Sequence, residues 1–75
     1  MSNSNLQVGK CYREKSSMGG FRYIKLESIN ELGGLVGEVV TAFNEYQSKG
    51  GYVDQGRWEK ITKKEFMQMK KLSIK

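Results

Sequence analysis

Lysines near the end of the chain are the residues whose type and spacing best fit a chemical task. Lys64, Lys71 and Lys75 follow one another at intervals of seven and four residues. On a helix this spacing places them along one side, which we call the lysine stripe. A row of ammonium groups can neutralise successive phosphates of a nucleic-acid backbone and release counterions. The alternative is a solvated helix face that keeps a small protein in solution.

The distribution of charge points to the same end of the chain. Residues 1–56 contain six Lys or Arg and six Asp or Glu, whereas residues 57–75 contain seven cations and two carboxylates and carry the whole net charge of +5. We therefore predict a nucleic-acid partner, DNA or RNA, at this basic end. Three of the thirteen cations are Arg, and Lys makes no bidentate fork, so low sequence specificity is expected. The predicted nucleic-acid-binding residues are Arg57, Lys60, Lys63, Lys64, Lys71 and Lys75.

Aromatic rings interleaved with cations form a second candidate surface. This mixture occurs in Phe21-Arg22-Tyr23 and in the segment from Tyr52 to Trp58. Barrels that bind single-stranded nucleic acid use such a mixture to stack bases on the rings. The aromatic residues expected in the core are Phe21 or Tyr23, Phe43, Trp58 packed under Phe66, and Phe66 itself. Those expected to remain exposed are Tyr12, Tyr46 and Tyr52.

A protein partner is the competing hypothesis. Residues 44–55 are polar, glycine-rich and nearly neutral, and they are expected to form a long hairpin tip. Tyrosine is a common anchor of protein interfaces. The protein-binding residues on this hypothesis are Tyr46, Lys49 and Tyr52, and their binding should tolerate salt better than phosphate contacts do.

The residue inventory argues against catalysis. The chain has no His, which removes the usual acid–base group and any Ser–His or Cys–His nucleophile. The eight acids are scattered singly, and Glu38, the one acid inside an apolar run, is expected to be an outward-facing strand residue. Cys11 is the only cysteine and is expected to be buried in a strand. We expect a non-enzymatic protein with no cofactor and no metal site.

The same inventory bears on the compartment. A single thiol fits a reducing environment. The N-terminal residues lack the basic and apolar regions of a signal peptide, and the longest apolar stretch, residues 35–43, is too short to span a bilayer. We expect a cytoplasmic protein without membrane contact.

Glycine pairs and one change of period organise the chain. Gly19-Gly20, Gly33-Gly34 and Gly50-Gly51 mark turns or bulges between segments rich in β-formers. The predicted strands are 8–14, 21–29, 35–43, 46–53 and 57–61. Doubled apolar residues in the third strand indicate a strand in a closed barrel or one covered on both faces. Thr62 to Glu65 matches a capping box, flanked by a staple of Ile61 and Phe66, and predicts a helix over 63–72.

These elements predict the fold class: mainly β with one C-terminal helix. A small five-stranded SH3-like barrel is expected, with the helix at one open end, and an OB-like barrel is the alternative. The domain should cover residues 7–72, preceded by a flexible tail over residues 1–6.

Two segments resemble the ends of small SH3-like barrel proteins of phages and mobile elements. They are Val8-Gly9-Lys10-Cys11-Tyr12-Arg13 and Gly56-Arg57-Trp58-Glu59-Lys60-Ile61-Thr62-Lys63-Lys64-Glu65-Phe66. In that family the entry strand carries a Gly-Lys-aromatic step, and the exit strand carries a Trp and runs directly into a capped helix. The resemblance covers about 17 of 75 residues and implies the fold. It also implies a phage-type accessory or inhibitor protein that binds a host protein as an ordinary role.

Overall fold

Five strands and one helix form from the residues that the structure describes. This computed structural model describes residues 6–16, 19–41, 44–54 and 56–73. The elements are β1 (Cys11–Lys15), β2 (Phe21–Ile29), β3 (Leu35–Val40), β4 (Glu45–Tyr52), β5 (Glu59–Ile61) and α1 (Lys63–Ser73). The predicted bounds of β2 are confirmed, and the other strands are shorter or shifted by a few residues.

The strands form a single antiparallel sheet in the order β4-β3-β2-β1-β5. The first four strands are consecutive hairpin neighbours. β5 returns to the outer side of β1, where Cys11 pairs with Ile61. The first strand of the chain therefore lies inside the sheet, and β4 and β5 form its two edges.

The connection between β4 and β5 requires the sheet to curl. In a flat sheet, edge strands four spacings apart would lie about 19 Å from each other. Residues 53–58 could span about 20 Å only if fully extended. Instead, Nε1 of Trp58 donates a hydrogen bond to the carbonyl of Val53 at 3.1 Å, so the connection folds back on itself. The two edges are thus brought towards each other, and the sheet has a concave and a convex face.

Each face of the sheet carries its own apolar cluster. The concave cluster contains Leu6, Tyr12, Ile24, Leu26, Leu35, Val39 and Trp58. The convex cluster contains Cys11, Val40, Ile61 and Phe66, and lies under α1. Adjacent strand residues point to opposite faces, so Val39 and Val40 belong to different clusters. Of the two alternatives predicted from the doubled apolar residues, a strand in a closed barrel or one covered on both faces, the second describes β3.

Several predicted core contacts need correction. Trp58 and Phe66 are both buried, but they lie in different clusters on opposite faces, so the predicted packing of Trp58 under Phe66 is wrong. Tyr12, expected to be exposed, is buried, and its hydroxyl accepts a hydrogen bond from the backbone N–H of Gln7. Leu6 was assigned to the tail, yet it is buried in the concave cluster. Phe43 lies outside the described residues.

The start of α1 follows the predicted cap. Thr62 Oγ1 accepts a hydrogen bond from the backbone N–H of Glu65 at 3.0 Å, and the backbone N–H of Phe66 donates to the Thr62 carbonyl at 3.1 Å. Ile61 and Phe66 share the convex cluster, as the staple predicts. The Glu65 carboxylate, expected to complete the capping box, lies instead 3.6 Å from Arg13.

The segment predicted as a hairpin tip is a strand. Most of residues 44–55 forms β4, which pairs with β3 along its length, so the strand predicted over 46–53 is confirmed within a residue and the hairpin-tip assignment is wrong. Gly50-Gly51 forms a bulge, because Lys49 pairs with Val36 whereas Tyr52 pairs with the adjacent Leu35. Gly50 has a φ of 103°, and a Cβ there would collide with the side chain of Asn30. The positive φ favours glycine at this position, and any larger residue would also have to displace the Asn30 side chain.

The architecture confirms the predicted class, mainly β with a C-terminal helix. Among the described residues, β4 and β5 do not pair with each other, so the sheet is open rather than a hydrogen-bonded closed barrel.

Candidate nucleic-acid interface

Ion pairs engage Arg13, Arg22 and Lys70. Arg13 lies 3.0 Å from Glu59, and this hydrogen bond raises the pKa of the guanidinium further. Arg22 lies 2.7 Å from the buried carboxylate of Glu14. Lys70 pairs with Glu38, which raises the pKa of the lysine. Both carboxylates of the basic end, Glu59 and Glu65, therefore contact Arg13.

Three other lysines line one groove, which we call the basic groove. It lies between the approach to β1, the strand β5 and the first turn of α1, and has a volume of about 560 Å³. Its lining residues are Gly9, Lys10, Cys11, Lys60, Ile61, Thr62, Lys63 and Glu65. Within the described part of the chain, no ion pair occupies Lys10, Lys60 or Lys63. The groove thus carries three ammonium groups and one carboxylate.

The lysine stripe lies on the exposed side of α1. Lys64 and Lys71 are both exposed and are spaced two turns apart, while Phe66 on the other side is fully buried. Lys63 begins the helix and also lines the basic groove, so the groove and the stripe are contiguous through the first helical turn. The predicted site residue Lys75 lies outside the described residues.

Arg57 does not join these lysines. It lines a second groove of about 310 Å³ between the ends of β1, β2 and β4. This groove also contains Lys15 and the Glu14–Arg22 pair, and one wall is Tyr52. The predicted set of six cations is therefore divided between two grooves and a helix face.

The tyrosines of β4 form an aromatic row at the rim of the concave face. The Tyr46 and Tyr52 ring centroids lie 6.4 Å apart, and Tyr52 meets Trp58 edge-to-face at 6.3 Å. The Arg22 guanidinium carbon lies 4.7 Å from the centroid of Tyr52, a cation–π geometry. Burial and a hydrogen bond with the Tyr52 hydroxyl raise the pKa of Tyr46 to about 12.

The predicted protein-binding residues divide between the two faces of β4. Tyr46 and Tyr52 pair with Val39 and Leu35 and share the concave face with them. Lys49 is three residues from Tyr46 along a regular strand and therefore lies on the convex face. The structure brings the two tyrosines together and separates them from Lys49.

Cys11 is buried, as expected from the sequence. Burial raises the pKa of its thiol, although the positive charges of Lys25 and Lys63 act in the opposite direction. A protonated buried thiol is a poor nucleophile. The described residues contain no group of three or more His, Cys, Asp or Glu side chains arranged to bind a metal ion.

Two features of the charged surface were missed by the sequence analysis. Lys10 belongs to the basic groove, but it is fifty residues from Lys60 and only the β1–β5 pairing brings them together. The buried Glu14–Arg22 pair had no usable signal. A two-residue turn at Gly19-Gly20 would place residues whose numbers sum to 39 opposite each other, whereas the observed register pairs residues that sum to 36, with Glu14 opposite Arg22.

The wider comparisons add no relative to this description. No protein-family model, curated protein or solved structure matches the chain. In the part of the chain that the structure describes, α1 is too short and too polar to cross a bilayer, and no helix meets that requirement.

Proposed function

We propose that the protein is a non-enzymatic binding module that contacts the backbone of DNA or RNA with low sequence specificity. The contacts are made by the basic groove and the lysine stripe, through Lys10, Lys60, Lys63, Lys64 and Lys71. The observation that carries the proposal is that these five lysines are exposed, contiguous and without a carboxylate partner among the described residues. When unpaired ammonium groups neutralise phosphates, the nucleic acid releases the counterions condensed on it.

The distribution of arginine supports backbone contacts rather than base readout. Arg is the residue that most often reads bases, through a bidentate fork. Arg13 and Arg22 are engaged by carboxylates, and Arg57 lies in the second groove. The proposed surface therefore consists of lysines, which act as point charges on phosphates.

We also propose that the fold is a partly open SH3-like barrel. This assignment is supported by the position of β1 between β2 and β5, and by the tight β4–β5 connection closed by Trp58 and Val53. An OB-like barrel remains the alternative. The expected compartment is the reducing cytoplasm, because a single buried thiol without a disulfide fits that environment.

The test is a fluorescence-anisotropy titration of labelled single- and double-stranded oligonucleotides at about 50 and 200 mM salt, a range over which phosphate contacts weaken strongly. We expect binding that weakens steeply with salt. Lys60→Gln/Lys63→Gln and Lys64→Gln/Lys71→Gln should each reduce the slope of log K against log salt by about 0.7–0.9 per lysine removed. Gln keeps a long polar side chain, so these variants should fold normally.

A matched variant controls for net charge. Lys15→Gln/Lys49→Gln removes the same two charges from exposed strand positions outside the proposed surface. If this control loses as much affinity as the other two variants, binding reflects overall charge and the assigned surface is wrong. Absence of binding at the lower salt concentration would remove the nucleic-acid proposal altogether.

A protein partner is the second candidate, with one observation in its favour. Tyr46 is 38% exposed on an edge strand, where an added strand or a flat partner could be accommodated. A phage-type accessory protein that docks on a host protein would use Tyr46, Lys49 and Tyr52. Such binding should survive in Lys60→Gln/Lys63→Gln and in Lys64→Gln/Lys71→Gln and fail in Tyr46→Ala, measured by surface plasmon resonance against candidate host proteins.

A further inference from the structure

The outer edge of β4 presents unpaired backbone groups in a predictable pattern. The backbone N–H of Thr41 donates to the Asn44 carbonyl at 2.8 Å, so these two residues form a hydrogen-bonded pair. Antiparallel pairs alternate between hydrogen-bonded and non-hydrogen-bonded along the ladder. Tyr46 and Ser48 then bond to β3, while the N–H and C=O groups of Glu45, Gln47 and Lys49 point outward. No other backbone segment among the described residues bonds to this edge.

The outward residues of β4 are complementary to themselves. In an antiparallel pair of two β4 strands centred on Gln47, Glu45 of one copy lies opposite Lys49 of the other, and the converse pair forms by symmetry. All three side chains lie on the convex face of the sheet. Opposite charges directly across a strand pair stabilise that register. An edge lysine ordinarily discourages strand pairing, but here this one register gives it a carboxylate partner.

The state of Glu45 is consistent with this arrangement. Its Oε2 atom is buried and has no hydrogen-bond partner among the described residues. Lys70 lies close enough to interact electrostatically with Glu45, but its ammonium group pairs with Glu38. No ion pair engages Glu45 among the described residues, so a lysine from a second copy would give this carboxylate a direct cationic partner.

We propose that two copies of this chain associate through antiparallel pairing of residues 45–49 of β4 about a two-fold axis at Gln47. This closed, isologous contact extends two sheets into one of ten strands. The paired segment would form six backbone hydrogen bonds, two between the Gln47 residues and four between Glu45 and Lys49 of opposite copies. The bulge at Gly50-Gly51 ends the regular edge and thereby limits the pairing to these five residues. The proposal does not depend on the proposed nucleic-acid binding.

The charge pair provides a test that does not depend on the fold of any single variant. Sedimentation equilibrium of the whole chain, measured over a wide concentration range, should show a concentration-dependent dimer. Lys49→Glu places two carboxylates opposite each other, Glu45→Lys places two lysines opposite each other, and each variant alone should be monomeric. An equimolar mixture of the two should dimerise again, because each copy then faces the opposite charge. The doubly exchanged variant, Glu45→Lys/Lys49→Glu, should also dimerise.

Lys15→Glu is the matched control, since it changes the net charge as Lys49→Glu does but lies on β1. It should dimerise like the unaltered chain. A monomeric unaltered chain at all concentrations would overturn the proposal. So would a mixture of Lys49→Glu and Glu45→Lys that remains monomeric while circular dichroism shows both variants folded.

Discussion

The tyrosines of β4 show how neighbouring side chains alter one another's chemistry. Tyr46 and Tyr52 are six residues apart in sequence, an even spacing that places both on the same face of the strand, and the bulge between them adds two residues and so leaves that face unchanged. Their hydroxyls are hydrogen bonded, and Arg22 stacks on the Tyr52 ring. Burial is the largest cause of the raised pKa of Tyr46, and the bond to Tyr52 is the second. The neutral form of Tyr46 is therefore favoured in the folded state.

This pKa predicts a dependence of stability on alkaline pH. An unperturbed tyrosine has a pKa of about 10, whereas that of Tyr46 in the folded protein is about 12. Because the folded-state pKa is the higher one, the contribution of Tyr46 to stability is complete below pH 10 and is lost as the pH rises towards 12. Ultraviolet difference titration should show the late ionisation of Tyr46, and Tyr52→Phe should lower the pKa of Tyr46 part of the way towards 10.

The control for this titration is Tyr23→Phe, which should leave the late phenol in place because Tyr23 lies against the convex cluster. Circular dichroism must show the protein folded throughout. If every tyrosine of the folded protein ionises near pH 10, the Tyr46–Tyr52 interaction does not exist in solution.

Among the elements, α1 was the most predictable because its signals are local. The Thr62 cap and the Ile61–Phe66 staple depend on residues within one turn, and both are present. β2 and its hairpin with β1 were also predictable from the flanking glycines. β4 was predicted within a residue of its bounds, but its polar and glycine-rich sequence was also interpreted as a hairpin tip, because it lacks apolar alternation and is held in the sheet by backbone pairing with β3.

The cap of α1 can be tested by substitution. Thr62→Ala removes the side-chain acceptor for the Glu65 N–H and should lower the free energy of unfolding by about 1 kcal/mol. Thr62→Ser retains the hydroxyl and should be nearly neutral. Urea denaturation of the three proteins measures the difference. Equal stabilities of the Ala and Ser variants would show that the cap contributes nothing.

For the molecule as a whole, the sheet is the common wall of two clusters. Trp58 packs on the concave side of the sheet and Phe66 packs on the convex side. Because the same strands support both clusters, loss of either side chain should destabilise the whole sheet. The sequence identified both residues as core but placed them together, since their nearness along the chain gives no information about the face each one covers. β5 lies between Trp58 and Phe66 in the sequence and decides which face of the sheet each of them covers.

Two substitutions, one on each face, should therefore have the same global effect. Trp58→Ala and Phe66→Ala should each cost about 3–5 kcal/mol, most of the stability expected for a domain of this size. Phe66→Leu should cost less and remain folded. In that variant, Trp58 fluorescence and far-ultraviolet circular dichroism should report the same denaturation midpoint. Loss of helix signal while the Trp58 signal stays native would mean that the two clusters unfold independently.

The place of β1 within the sheet has a consequence for the protein during its synthesis. β1 through β4 can pair in the order in which they leave the ribosome, but the outer side of β1 waits for β5. Until residues 59–61 emerge, Cys11 has no Ile61 opposite it and no Phe66 above it. We therefore expect the thiol that is buried in the folded protein to be more open to oxidants and alkylating agents in the nascent chain, until β5 and α1 cover it.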